Sequence, residues 1–187
     1  MQFNGKHMRT IWLAEDGWSV QIIDQTKLPH VFETATLCTL DDAARAISDM
    51  LVRGAPLIGA TAAYGVCLAL REEAGDEALE AALARLAATR PTAVNLKWAL
   101  REMEAAVRNL PRESRVAAAY RRAAEICDED AECCRMIGVH GLEIIRQHAA
   151  RKGGKAVNVL THCNAGSLAT IDWGTATSPL YQAQEEG

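Results

Sequence analysis

The sequence predicts an α+β N-terminal domain, a small antiparallel sheet plus a helical bundle, followed by the first β-α unit of a further α/β domain. Three observations lead there. The first 37 residues are β-branched and aromatic runs separated by turn residues. From Thr39 to about residue 150, Ala and Leu recur at helical spacing, interrupted only where Gly or Pro stands. After a basic segment ending at Lys155, an apolar run leads into a loop of small residues.

In order along the chain, Arg9–Leu13 and Trp18–Ile23 read as two strands joined at Asp16-Gly17, a hairpin signal. Val31–Leu37, beyond Leu28-Pro29, supplies a third extended piece. Thr39-Leu40-Asp41-Asp42 offers an N-cap with a carboxylate three residues on, so a helix begins there. It ends before Pro56, because the residue preceding proline avoids the helical region. A second helix runs from Pro56 to about Glu73, with small residues that let another backbone approach. A third spans Asp76–Thr89, a fourth about Thr92–Asn109, and a long one about Ser114–Ala150, with Gly138 or Gly141 as candidate interruptions.

Arg151–Lys155 reads as a solvated linker, dividing the chain into residues 1–155 and 156–187. Ala156–Thr161 is expected to be a buried strand, His162–Ser167 a loop, and Leu168–Thr170 the start of a helix, as an open parallel sheet begins. One such unit cannot cover both its faces, so the sheet is expected to continue beyond Gly187.

Composition narrows the function. With 49% apolar and 24% charged residues the chain is globular, and no apolar run is long enough to span a bilayer. The net charge of -4 argues against general affinity for nucleic acid or anionic membrane. The N-terminus lacks the layout of a secretory signal, so a cytoplasmic protein is expected. The six cysteines form no CxxC pair, and no His stands at zinc-finger spacing, so reduced thiols are the expectation. Cys67, Cys127, Cys133 and Cys134 fall in helical stretches and read as small buried hydrophobes. With neither a metal cluster nor a nucleotide-binding glycine fingerprint, no cofactor is expected.

Three segments carry more polar chemistry than packing requires. In Arg53-Gly54-Ala55-Pro56, glycine permits close approach, the following helix offers free N–H groups, and Arg53 offers a bidentate fork. This suits a phosphate or carboxylate, although taken alone the segment reads more simply as an exposed arginine at a Gly-Pro turn. Arg90-Pro91-Thr92-Ala93-Val94-Asn95 is a second arginine before a helix. In Thr161-His162-Cys163-Asn164-Ala165-Gly166, Cys163 stands at a strand end before a helix, where thiolate is favoured and ligands bind in open α/β sheets. The alternative is a strand-end cysteine buried in a tight turn. His162 would face the opposite side of a strand and reads as structural. The residues alone lead to a phosphate-handling enzyme with a cysteine in its site.

Together, Arg53–Gly59, Arg90–Leu96 and Leu160–Gly166 resemble the methylthioribose-1-phosphate isomerase family in order, spacing and nearly every residue. Asp24–Pro29 is similar to that family's N-terminal signature. The resemblance covers essentially the whole chain. Its wider circle includes ribose-1,5-bisphosphate isomerases and non-catalytic regulatory subunits of a translation-initiation exchange factor. It implies aldose-ketose isomerisation of 5-methylthioribose 1-phosphate in methionine salvage, a Rossmann-like C-terminal domain, an active site between the two domains, and a homodimer. By motif match, Arg53, Gly54, Ala55 and Arg90 would contact the sugar phosphate and Cys163 would be catalytic. The family's catalytic Asp, its Gln and its Asn-Lys pair would lie beyond Gly187, so the 187 residues alone are expected to be inactive. Asp172 does not match that Asp. Asp172-Trp173 is bulkier and more charged than the family pattern, which leaves fine substrate specificity open.

Overall fold

The computed structural model describes residues 2–3, 5–153 and 155–187; Gly154 of the expected linker lies outside them. A three-stranded antiparallel sheet is built from β3 (Ile11–Leu13), β4 (Val20–Ile23) and β5 (Thr34–Leu37), with β4 central. Ile11 pairs with Ile22, and Val20 with Leu37, so alternate residues of β4 place one face on the core. The hairpin is closed by Asp16, whose Oδ1 accepts from the N–H groups of Trp18 (2.9 Å) and Ser19 (2.8 Å). A separate two-residue hairpin, β1 (Gln2–Phe3) with β2 (Lys6–His7), precedes it.

Helix α1 (Leu40–Ser48) starts on a complete capping box between Thr39 and Asp42. Helix α2 (Ala55–Glu72) is the axis of the molecule: every residue from Leu57 to Leu70 is buried. Its small side chains allow this, because α1 and α3 (Asp76–Ala87) meet at Gly65, and α4 (Val94–Val107) meets it at Gly59. A Cβ at Gly59 would lie 3.1 Å from the Asn95 carbonyl oxygen.

Helix α5 (Arg112–Lys152) runs unbroken for 41 residues, a length of about 60 Å. Gly138 and Gly141 do not interrupt it. They are where α6 (Ser178–Glu186) crosses: a Cβ at Gly138 would overlap Ser178 and Gln182, and one at Gly141 would overlap Pro179. Glycine here serves interhelical approach, and α5 continues through both positions.

Arg115 binds three segments together from the first turn of α5. It is 6% exposed and donates to the carbonyls of Leu110 (3.0 Å), Ala74 (3.1 Å) and Arg108 (3.0 Å), with Asp76 at 2.7 Å. Arg115→Met keeps the stem but leaves these acceptors without their donor. It should lower stability by about 2–3 kcal/mol in urea denaturation, and a loss below about 0.5 kcal/mol would mean that water replaces the guanidinium.

The C-terminal segment departs from expectation in two places. Residues 156–161 are not in a strand: they pair with no neighbour among the described residues, and Leu160 is 96% exposed. A strand exists only through the ladder of its neighbours, and none is presented to this segment. The helix expected over 168–170 is a 3₁₀ turn, Ser167–Ala169. There the Thr170 hydroxyl donates to the Asp172 carbonyl and accepts from the Gly174 N–H, satisfying backbone groups that a helix would have used.

Candidate functional site

Gly54 stands at the junction of α1 and α2 with φ +100°, a conformation that a side chain disfavours. A Cβ there would overlap the backbone of Ala169. The Arg53-Gly54-Ala55 turn is therefore seated directly on the segment that follows Cys163. Five residues on, Gly59 receives the Asn95 carbonyl of the Arg90–Asn95 segment. The Arg53 turn, the Arg90–Asn95 segment and the Ser167–Ala169 turn, which follows the Cys163 segment, thus meet at the N-terminal end of α2.

Gln25 ties the Arg53 turn to the Ser167–Ala169 turn. It is 2% exposed; its N–H donates to the Leu51 carbonyl (3.0 Å) and its Nε2 to the Leu168 carbonyl (2.7 Å). Its own carbonyl accepts from Arg53 Nη2 at 3.4 Å. Two further pins hold the post-cysteine segment. The Thr10 hydroxyl donates to the Thr170 carbonyl (2.6 Å), and Asp130 on α5 accepts from the Ile171 N–H (2.9 Å).

Of the residues expected to act, Arg53 and Cys163 are exposed and Arg90 is half-buried between α3 and α4. Among the described residues no hydrogen bond joins these three side chains, and the Arg53 turn reaches the Cys163 segment only through the Ser167–Ala169 turn that follows it. Cys163 is not a buried strand-end thiol but sits on a loop at φ +69°. The other thiols separate cleanly. Burial pushes Cys127 and Cys134 up to about 12 and raises Cys67 well above its ordinary value, so these are inert. Cys133, expected to be buried, is exposed, because it lies on the side of α5 facing away from Cys134 and the core.

Burial also raises the Asp130 carboxyl, against the opposing hydrogen bond from Ile171. Its folded value lies above the unfolded 3.8, so ionised Asp130 costs stability at neutral pH and the cost disappears in acid. Asp130→Asn keeps the acceptor and removes the charge. It should gain about 0.5–1 kcal/mol at pH 7 in thermal unfolding, with the gain vanishing near pH 3.

On the other side of the Ser167–Ala169 turn lies a cleft of about 770 Å³, walled by Phe3, Phe32, Leu168, Trp173 and Tyr181, with Asp172 in its lining. Phe3 and Phe32 stack with centroids 3.7 Å apart. Asp172 is 4% exposed and its Oδ2 lies 2.6 Å from His7 Nε2. Burial acts to raise its carboxyl, but hydrogen bonds, that of the Trp173 N–H among them, and nearby positive charge hold it below the usual range. It is thus an anion held in place, not a proton donor. Gln25, Thr10, Asp130 and Asp172 carried no role in the sequence reading, since each acts through contacts more than 100 residues away along the chain or, for Asp130, across 41. No three His, Cys, Asp or Glu side chains cluster as a metal site among the described residues. No helix among them is long and apolar enough to cross a membrane.

Known proteins resemble this chain in sequence and in fold. The initiation factor 2 subunit family matches residues 51–187. The chain is 59% identical to a methylthioribose-1-phosphate isomerase of Paramagnetospirillum magneticum over all 187 residues, which make up 51% of that protein. It is 57% identical to one from Rhodospirillum centenum, again over its whole length and 50% of the relative. Two solved structures superpose with a TM-score of 0.81. One is subunit delta of the translation initiation factor eIF-2B from A. fulgidus, 36% identical over 97% of this chain and 52% of that one. The other is a 5-methylthioribose 1-phosphate isomerase from Pyrococcus horikoshii, 34% identical over 96% of this chain and 51% of that one. The chain spans about half the length of the curated relatives it matches. The match begins just before the Arg53 turn and runs through the α2 axis and the Cys163 loop: this chain belongs to the initiation factor 2 subunit family.

Proposed function

We propose that this chain supplies the phosphate-binding and cysteine-bearing half of a methylthioribose-1-phosphate isomerase. The observation that supports the reading is the seating of Gly54 on Ala169, which sets the Arg53 turn against the Ser167–Ala169 turn, with Ala169 six residues past Cys163. The identity of the curated relatives supports the substrate. In this reading Arg53, Gly54, Ala55 and Arg90 hold the phosphate: the arginines neutralise its charge, and the first turn of α2, which has no side-chain cap, offers N–H groups.

The substrate is a furanose whose anomeric oxygen carries the phosphate, so it cannot open to a free aldehyde. Isomerisation breaks the bond between C1 and the ring oxygen, which takes up a proton. One hydrogen moves from C2 to C1, and the C2 hydroxyl loses its proton to become the ketone. Cys163 serves beside C1 and C2, in proton exchange or in stabilising the transition state. An acid for the ring oxygen is supplied by residues beyond 187, in a Rossmann-like domain beginning near residue 156. The whole protein works as a cytoplasmic homodimer without a cofactor. A regulatory, non-catalytic subunit is the second reading, favoured by the equal TM-score of the eIF-2B subunit.

The test compares this chain with the same chain extended to the length of its relatives, following ketose formation from 5-methylthioribose 1-phosphate. Turnover is expected only from the long form. A folded long form that binds phosphate and leaves the sugar unchanged overturns the isomerase in favour of the regulatory reading. Turnover by the 187 residues alone overturns the assignment of the acid to residues beyond them.

A further inference from the structure

A reactive thiol has to be held at a fixed place, and the chain around Cys163 is held at few points. From 157 to 164 no residue makes a hydrogen bond among the described residues. The first fixed point after Cys163 is the carbonyl of Ala165. It accepts from the Thr175 N–H (2.9 Å), and the hydroxyls of Thr175 and Thr177 each lie 3.4 Å from it. Gly174, at φ +77°, is pressed against the same peptide: a Cβ there would overlap the Ala165 carbonyl oxygen and the Gly166 carbonyl carbon. Cys163 stands two residues before this anchor, so whatever sets the place of the thiol from this side acts through Ala165.

Thr177 is used in an uncommon way. It is the N-cap residue of α6, where a threonine hydroxyl ordinarily accepts from an N–H of the first turn. Here it makes no such bond, because its backbone has already turned into the helical region (φ -86°, ψ -19°). The hydroxyl instead bridges the carbonyls of Trp173 (3.1 Å) and Ala165 (3.4 Å). Both ends of the Gly174–Thr177 turn are themselves held. Behind it, the Thr170 hydroxyl accepts from the Gly174 N–H (3.2 Å). Ahead of it, α6 is pinned to α5 by Gln182, whose Nε2 donates to the Arg135 carbonyl (2.9 Å). The turn is thus a firm base against which the cysteine segment rests.

We propose that Thr177, with Thr175 beside it, is a positioning residue of the isomerisation: through the Ala165 carbonyl it fixes the reach of the Cys163 thiol toward C1 and C2 of the sugar phosphate. The proposal rests on the isomerase reading and adds a residue to it. In that reading the phosphate is held by Arg53, Arg90 and the first turn of α2, all on other elements. A slack Ala165 anchor should therefore slow the chemical step and leave binding alone.

The experiment measures kcat and KM of the full-length protein on 5-methylthioribose 1-phosphate, beside thermal unfolding. Thr177→Val keeps the shape and removes the hydroxyl. It should lower kcat about tenfold while KM stays within about twofold. Thr177→Ser restores the hydroxyl and should bring kcat back to within about twofold of the parent. A threonine that only supports the fold would lower the melting temperature and leave kcat of the folded enzyme near the parent value. That outcome overturns the proposal while leaving the isomerase standing, as does a loss that serine fails to restore or one that falls on KM. Thr177→Ala removes the same hydroxyl without filling its space; failure of both the alanine and valine variants to fold makes the hydroxyl structural and overturns the proposal too. Absence of turnover in the parent protein overturns the isomerase reading and the proposal with it.

Discussion

Gly54→Ala is expected to destabilise the chain by about 3–5 kcal/mol and to part the Arg53 turn from the Ser167–Ala169 turn. Two costs add. An L side chain at φ +100° is strained, and the new Cβ would occupy the space of the Ala169 backbone. That backbone cannot easily retreat, because its neighbours are held by Gln25, Thr10 and Asp130. Gly17→Ala separates the two costs: Gly17 also has positive φ (+75°), but nothing lies within 4 Å of its would-be Cβ. It should lose only about 1 kcal/mol. Urea denaturation of both variants measures the difference, and equal losses would show that the contact with Ala169 contributes nothing. In the full-length protein, Gly54→Ala should also weaken phosphate binding.

Cys163→Ser in the full-length protein is expected to lower kcat by about 10²–10⁴-fold. Serine nearly matches cysteine in size, so the loop keeps its form, but its hydroxyl is a far weaker acid than a thiol and gives up its proton with difficulty. Phosphate affinity should stay within about twofold, because Arg53, Arg90 and the first turn of α2 are untouched. The loop conformation at φ +69° is equally available to either residue. Calorimetric titration with inorganic phosphate, beside the turnover assay, separates the two effects. Activity close to the parent value removes Cys163 from the mechanism, and joint loss of binding and turnover makes it a structural residue.

What could be read from the sequence was local. The Asp16-Gly17 hairpin, the Thr39–Asp42 capping box and the start of α2 at Ala55-Pro56 are each specified within a few residues, and each formed where expected; α1 instead stops at Ser48, short of the expected Gly-Pro break, and Met50 turns to φ +63°. The three polar segments were visible for the same reason. Features that depend on distant partners were not. The run 156–161 has strand composition but meets no ladder, and composition cannot announce a missing neighbour. Gly138 and Gly141 look like helix breakers until α6 is seen lying across them. The Gln25 amide, which joins the Arg53 turn to the Ser167–Ala169 turn, sits in a stretch with no periodicity to mark it as buried.

One consequence follows from the place of α2. Gly54 meets the post-cysteine segment and Gly59 meets Asn95, about 7.5 Å apart along a single helix. Removing or adding one residue between them would turn one contact by about 100° relative to the other and slide it about 1.5 Å. Neither contact can follow, since both neighbours arrive as backbone. Exchanges among small residues can accumulate in this interval over evolutionary time, but changes in its length cannot. The five-residue count is in effect a fixed gauge, and any descendant that keeps the site must keep the number.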